Sequence, residues 1–197
     1  MARLFDGTDD SIDFGRCSGI EGKAAATFGA WIYQTALTAD KAYLTKWDVA
    51  TQGCFFFQAD DASGNLKGAI ANSITSGGQQ NGVTTGGVIA AATWAHAVWV
   101  FNSAGATNAD RLKCYVNNVA KTLSFLDQAI PTSVLTSATA TVKAGRLGGT
   151  ATRYWNGRIA DLVIYDHALT LGEIAALYAG HVKRSGLVLY APLWGIG

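Results

Sequence analysis

The chain has 197 residues, enough for one large all-β unit or two small ones, and 49% of them are hydrophobic, so a sizeable core needs no staples. Fifteen Lys and Arg stand against fourteen Asp and Glu; the formal net charge of +1 excludes the electrostatic footprint of a nucleic-acid or anionic-membrane binder, and no segment is long and apolar enough to span a bilayer as a helix. Three cysteines, Cys17, Cys54 and Cys114, form neither an even set nor a CxxC pair, which argues against a disulfide framework or a zinc site and favours Cys54 and Cys114 as buried thiols in strand-like runs.

In chain order, "MARLFDG" opens without the apolar run of a signal peptide, which leads to the expectation of a chain made and kept in a cytosol. "FDGTDDSIDFG" (residues 5–15) then sets Asp6, Asp9, Asp10 and Asp13 around Phe5, Ile12 and Phe14. Those carboxylates suit a metal or sugar site, but Asp and Gly are also turn formers; the architectural reading has the three apolar residues pointing inward from two short strands joined by the Asp-Gly turn. "ATFGAWIYQT" (26–35) alternates Phe28, Ala30 and Ile32 against Thr27, Trp31 and Tyr33, and "GCFFFQAD" (53–60) is a short apolar run between turn formers; both predict strands. Ser76 to Thr93 is poor in charge and rich in Gly, which predicts a long loop or a weak edge hairpin. "TWAHAVWVFN" (93–102) resumes the strand pattern with Trp94, His96 and Val98 on one face. In "RLKCYVNNVAKTLSF" (111–125), Asn117-Asn118 tolerate the positive φ of a type I′ turn and predict a hairpin. One helix is predicted at about residues 170–179, from the capping-box spacing of Thr170 and Glu173 to Gly180.

The segments "FDGTDDSIDFG", "FGAWIY", "TWAHAVWVFN", "LKCYVNNVAK" and "YWNGRIADLVIYDHALTLGEIAALY" resemble, in order and spacing, the laminin-G-like, concanavalin A-like jelly-roll domains. The last block is the most specific, with a glycine, an alternating strand, a Tyr165-x-x-Ala168-Leu169 corner and a capped helix. The resemblance implies an all-β sandwich of two antiparallel sheets over residues 1–197, with the Asp-Gly stretch as a first hairpin and the helix bridging strands near the end. The closing "SGLVLYAPLWGIG" resembles the strand that usually opens such domains, so 186–197 is expected to pair beside the N-terminal strands, with Pro192 ending the ladder and Leu193, Trp194 and Ile196 reaching a partner.

Chemistry is sparse along this frame. Relatives that hydrolyse glycosides need paired carboxylates, commonly Glu-x-Asp-x-x-Glu, whereas this chain has only Glu21 and Glu173, in a loop and a helix cap. No Gly-x-Ser-x-Gly context stands near His96, His167 or His181, so no catalytic residue is assigned and an enzyme is not expected. Calcium, which many relatives bind at the rim, would draw on Asp9, Asp10 and Asp13, but Ala160 stands where the family often has a carboxylate; no cofactor is favoured. A lectin-type site needs an aromatic platform beside amide or carboxylate groups, and Trp47-Asp48 and Tyr154-Trp155-Asn156 have that composition. Two functions therefore stand side by side. The favoured expectation, drawn by analogy of fold and style, is a phage capsid decoration protein, made in the host cytoplasm, found in the virion and bridging shell subunits as a symmetric multimer; the alternative is a carbohydrate-binding module with a glycan as partner.

Overall fold

The structure, a computed structural model, describes residues 2–48, 53–71, 79–125, 129–149 and 152–193. Its strands are β1 (Arg3–Asp6), β2 (Ile12–Asp13), β3 (Ala25–Gln34), β4 (Lys41–Lys46), β5 (Phe55–Ala59), β6 (Leu66–Ala71), β7 (Gln79–Thr84) and β8 (Trp94–Asn102). The short helix α1 (Asn108–Arg111) follows, then β9 (Leu112–Val116), β10 (Val119–Lys121), β11 (Leu123–Phe125), β12 (Val142–Ala144), β13 (Asn156–Tyr165), helix α2 (Leu171–Tyr178) and β14 (Leu187–Ala191). They build two antiparallel seven-stranded sheets: β1-β13-β3-β8-β9-β10 with β14 also on β13, and β11-β7-β6-β5-β4-β12-β2.

Alternation places the core between the sheets. Phe28, Ala30 and Ile32 of β3 and Trp99 and Phe101 of β8 face Phe55 and Phe57 of β5 and Leu66 and Ile70 of β6. The Phe28 ring lies 4.4 Å from that of Phe55 and 4.8 Å from that of Phe57, and the buried Trp99 indole donates to the Tyr43 hydroxyl at 2.7 Å, which removes the cost of an orphaned N–H. Gly68 makes this packing fit, since a Cβ there would stand 2.7 Å from the Trp99 ring and 2.9 Å from that of Phe57.

A third layer covers part of the first sheet. The capping box predicted for α2 is formed: Thr170 Oγ1 accepts from the Glu173 N–H at 3.3 Å and Glu173 Oε2 accepts from the Thr170 N–H at 2.9 Å. Ile174 and Leu177 then pack with Val98, Val100, Val163, Tyr165 and Leu169 on the outer face of the sheet. The predicted hairpin turns at Asn117 and Asn118, with φ of 51° and 62°.

Two expectations are corrected. The opening stretch is no hairpin: β1 pairs with β13 in the first sheet and β2 with β12 in the second, so the Asp-rich turn carries the chain from one sheet to the other. Its carboxylates hold that crossing, because Asp6 Oδ1 accepts from the N–H groups of Thr8 and Asp9 (2.7 and 3.2 Å) and Asp10 accepts from the Asp6 N–H and from Arg3. The backbone donors, Thr8 first, hold the Asp6 carboxyl below its ordinary range. Likewise, part of the Gly-rich stretch expected to be loop or edge is β7, held between β6 and β11; residues 72–78 lie outside the described set. At the other end β14 pairs with β13 in its own chain, next to β1, and after the last ladder pair at Ala191 the Pro192 carbonyl accepts from the Asp161 N–H at 3.0 Å. Leu193 packs against the core, while Trp194 and Ile196 lie outside the described residues.

Candidate functional site

The five residues expected to make a sugar site are split. Trp155 is a correction: it is 0% exposed, meets the Tyr43 ring edge-on at 5.7 Å, and presents no face to a ligand. The reason is position, since its backbone N–H bonds the Gly145 carbonyl at 2.8 Å just before β13 and sets the indole into the sandwich, where Nε1 is buried with no partner among the described residues. Asn156 opens β13 in the first sheet opposite Asp6. Trp47 and Asp48 follow β4 in the second sheet; the half-buried Trp47 indole packs edge-on against Phe56 at 5.4 Å, and Asp48 Oδ2 accepts from Thr139 at 3.2 Å. Tyr154 is half-buried between Trp155 and Arg153, whose carbonyl accepts from the Ala42 N–H of β4.

What gathers around Trp47 is the outer face of the second sheet. Because Phe55 and Phe57 point into the core, Phe56 and Gln58 point out, and the register aligns two rows across the strands: Asn81, Ala69, Phe56 and Thr45, then Val83, Lys67, Gln58 and Ala42. Gln58 is fully buried and fully partnered. Its amide donates to Asp40 Oδ1 at 2.7 Å and its carbonyl oxygen accepts from Arg153 Nη1 at 3.0 Å, while Arg153 and Asp40 approach to 3.5 Å. Lys67 pairs with Asp60 beside it. Two polar atoms of this region are buried without a protein partner among the described residues, the acceptor Asn81 Oδ1 and the donor Arg146 Nε. Arg146 sits at the far end of the first row, its carbonyl accepting from Thr45 Oγ1 at 3.0 Å. Sequence reading missed Asp40, Gln58, Asn81 and Arg153; in the apolar run "FFFQ" the strand period puts Gln58 on the face of Phe56, away from Phe55 and Phe57, but nothing local announced that Arg153 would fold back over it.

Several other titratable groups are engaged structurally. Asp13 Oδ2 accepts from Lys143 at 2.6 Å and Thr141 at 2.8 Å, Glu21 binds the buried Lys46 and Arg16, and Glu173 caps α2 and meets Lys183 at 2.5 Å. Among the described residues no three His, Cys, Asp or Glu side chains converge as a metal site. His96 is 2% exposed, packs on Trp31, and has its pKa pushed down to about 4 by burial. Asp166 is held by Lys23 at 3.1 Å and lies 3.3 Å from His167 Nδ1, and Asp161 accepts from the Tyr190 hydroxyl at 3.0 Å.

Two seven-stranded antiparallel sheets, a chain that crosses between them and a capped helix near the end define a lectin-type sandwich. Residues 6–175 match the family described as the concanavalin A-like lectin/glucanases superfamily, and the chain belongs to it. No curated protein matched the sequence. Among solved structures, the chain is similar to a putative carbohydrate-binding protein from Bacteroides ovatus (16% identity, TM-score 0.71), covering 99% of this chain and 53% of that one. It is similar also to domain 4 of the extracellular GH43 arabinanase AbnA from Geobacillus stearothermophilus in complex with arabinotriose, with 20% identity, 90% and 76% coverage and a TM-score of 0.64. A third is the CBM40 of the Ruminococcus gnavus IT-sialidase bound to α2,3-sialyllactose, with 13% identity, 90% and 95% coverage and a TM-score of 0.65. At these identities the likeness is one of fold.

Proposed function

We propose that the protein is a non-catalytic carbohydrate-binding domain that takes its glycan on the outer face of the second sheet. The observation that carries this reading is the pair of buried, unpartnered atoms, Asn81 Oδ1 and Arg146 Nε, on a face whose other planar polar groups are already locked by one another. Asn81 and Arg146 stand at opposite ends of the first row, so separate hydroxyls of an extended glycan, each able to donate and accept, would satisfy the acceptor and the donor, which would otherwise each cost about 1–3 kcal/mol. Gln58 on β5, Asp40 in the turn before β4 and Arg153 before β13 hold one another by hydrogen bonds, so little freedom is lost on binding. Trp47 and Tyr154, both half-buried, flank the face as apolar surface for a sugar ring, and Asp48 adds a carboxylate.

The relatives support this over capsid decoration. Their names speak of carbohydrate binding, of arabinotriose and of sialyllactose, and neither they nor the family description lends anything to a virion role or capsid partners. The arabinanase and sialidase parents are enzymes, but the likeness here is to their binding modules, and the glutamates of this chain are spent on Lys46, Arg16 and a helix cap. A glycan array probed with the purified chain is the test. At least one glycan should bind without being cleaved, and Asn81→Ala and Arg153→Ala should each weaken it about tenfold with an unchanged circular dichroism spectrum. Binding indifferent to both substitutions would remove the second sheet from the reading.

A further inference from the structure

The first sheet carries a separate feature. Where α2 ends, a groove of about 410 Å³ runs over the uncovered part of the outer face, lined by Trp31, Trp94, Asp161, Tyr178 and Gly180. Trp31 pairs with His96 and Tyr33 with Trp94, so the two tryptophans are diagonal neighbours on adjacent strands, close enough to flank one ligand. Tyr178 stacks on Trp31, with ring centroids 5.5 Å apart and planes 23° apart, and fixes that wall.

Among the described lining residues the one formal charge is that of Asp161. Asp161 sits at a break in the β13–β3 register with φ of 47°, a bulge that aims its carboxylate outward, where it accepts from Tyr190. The last turn of α2 contains no basic side chain, and the carbonyl end of the helix, where Ala176 and Leu177 accept from the N–H groups of His181 and Gly180, lies beside the same groove. No Lys or Arg lines it among the described residues. Below Trp31 and Asp161 a small void of about 20 Å³ reaches His96, which is 2% exposed and whose Nδ1 has no partner among the described residues. That imidazole is neutral near pH 7, because burial drives its pKa down to about 4, and it adds no positive charge to the floor.

We propose that this groove binds an organic ammonium head group, quaternary or protonated, held over the Trp31 and Trp94 rings and beside the Asp161 carboxylate. Aromatic faces present a negative quadrupole to a cation, and the carboxylate and the helix end add to it in a cleft partly closed to water.

Choline and its uncharged isostere 3,3-dimethylbutan-1-ol, titrated against intrinsic tryptophan fluorescence, test the assignment. Choline should give a saturable change, and the isostere should bind about tenfold more weakly. Trp94→Ala should abolish the response; Asp161→Asn, which keeps a residue that tolerates positive φ, should weaken it several-fold. Arg153→Ala, on the opposite sheet, should leave choline affinity unchanged, so this site and the glycan face stand or fall separately. No saturable response, equal affinity for the isostere, or full choline binding by Trp94→Ala would overturn the proposal.

Discussion

At the scale of single residues, burial decides what Trp155 and His96 do. Trp155 fills the core beside Tyr43, so Trp155→Ala should cost about 3–5 kcal/mol through lost transfer energy and the cavity left behind. Urea unfolding checks this, and a loss under 1 kcal/mol would mean that the indole packs no core. His96 makes the acid response. Its folded pKa of about 4 lies below the ordinary 6.5, so between these values the unfolded chain holds a proton that the native chain does not. Stability therefore rises with pH through that window and falls as pH is lowered through it, by up to roughly 3 kcal/mol. In His96→Phe this part of the acid limb should flatten; denaturation curves at pH 6.5 and 4 that differ as much as in the wild type would place the titration elsewhere.

At the scale of elements, α2 and β14 are the parts whose local chemistry is most directly testable. Thr170→Ala removes one side of the capping box and should lower stability by about 1 kcal/mol, read as a drop in Tm. Deleting residues 186–197 strips a strand from β13 and uncovers Val163 and Ile164, and should abolish soluble, folded protein; a truncated chain with wild-type Tm would show that β14 adds nothing to its own sheet. Helix α2, the Asn117-Asn118 turn and the inward set Phe28, Ala30 and Ile32 were legible in the sequence because cap spacing, turn chemistry and alternation are all local signals. The sheet change at Asp6–Ser11 was not: a turn rich in Asp and Gly looks the same whether it joins two paired strands or two sheets, and only the pairing of β1 with β13 far along the chain separates the cases. The site suffered likewise. Aromatic-amide pairs such as Trp155-Asn156 have the composition of a sugar platform, yet which ring faces out depends on the backbone crossing between the sheets, while Arg153 meets Gln58 across 95 positions of sequence.

At the scale of the whole molecule, the two outer faces are put to different uses. Helix α2 covers part of the first sheet and leaves the aromatic groove at its end; on the second, Leu147 and the half-buried Trp47 pack over Ala42, Phe56 and Ala69, Gln58 is buried, and Lys67 and Asn81 stand partly exposed toward β7. A net charge of +1 gives the molecule no long-range pull on anionic polymers, so recognition rests on local hydrogen bonds and ring contacts and should change little with salt. The most direct measurement of the central claim is a titration of the 15N-labelled chain with a glycan that the array identifies, followed by two-dimensional NMR. The largest shifts should fall on β4 to β7 and on the segment around Arg153. A failure of every array glycan to bind, or shifts confined to the first sheet, would contradict carbohydrate recognition by the second sheet.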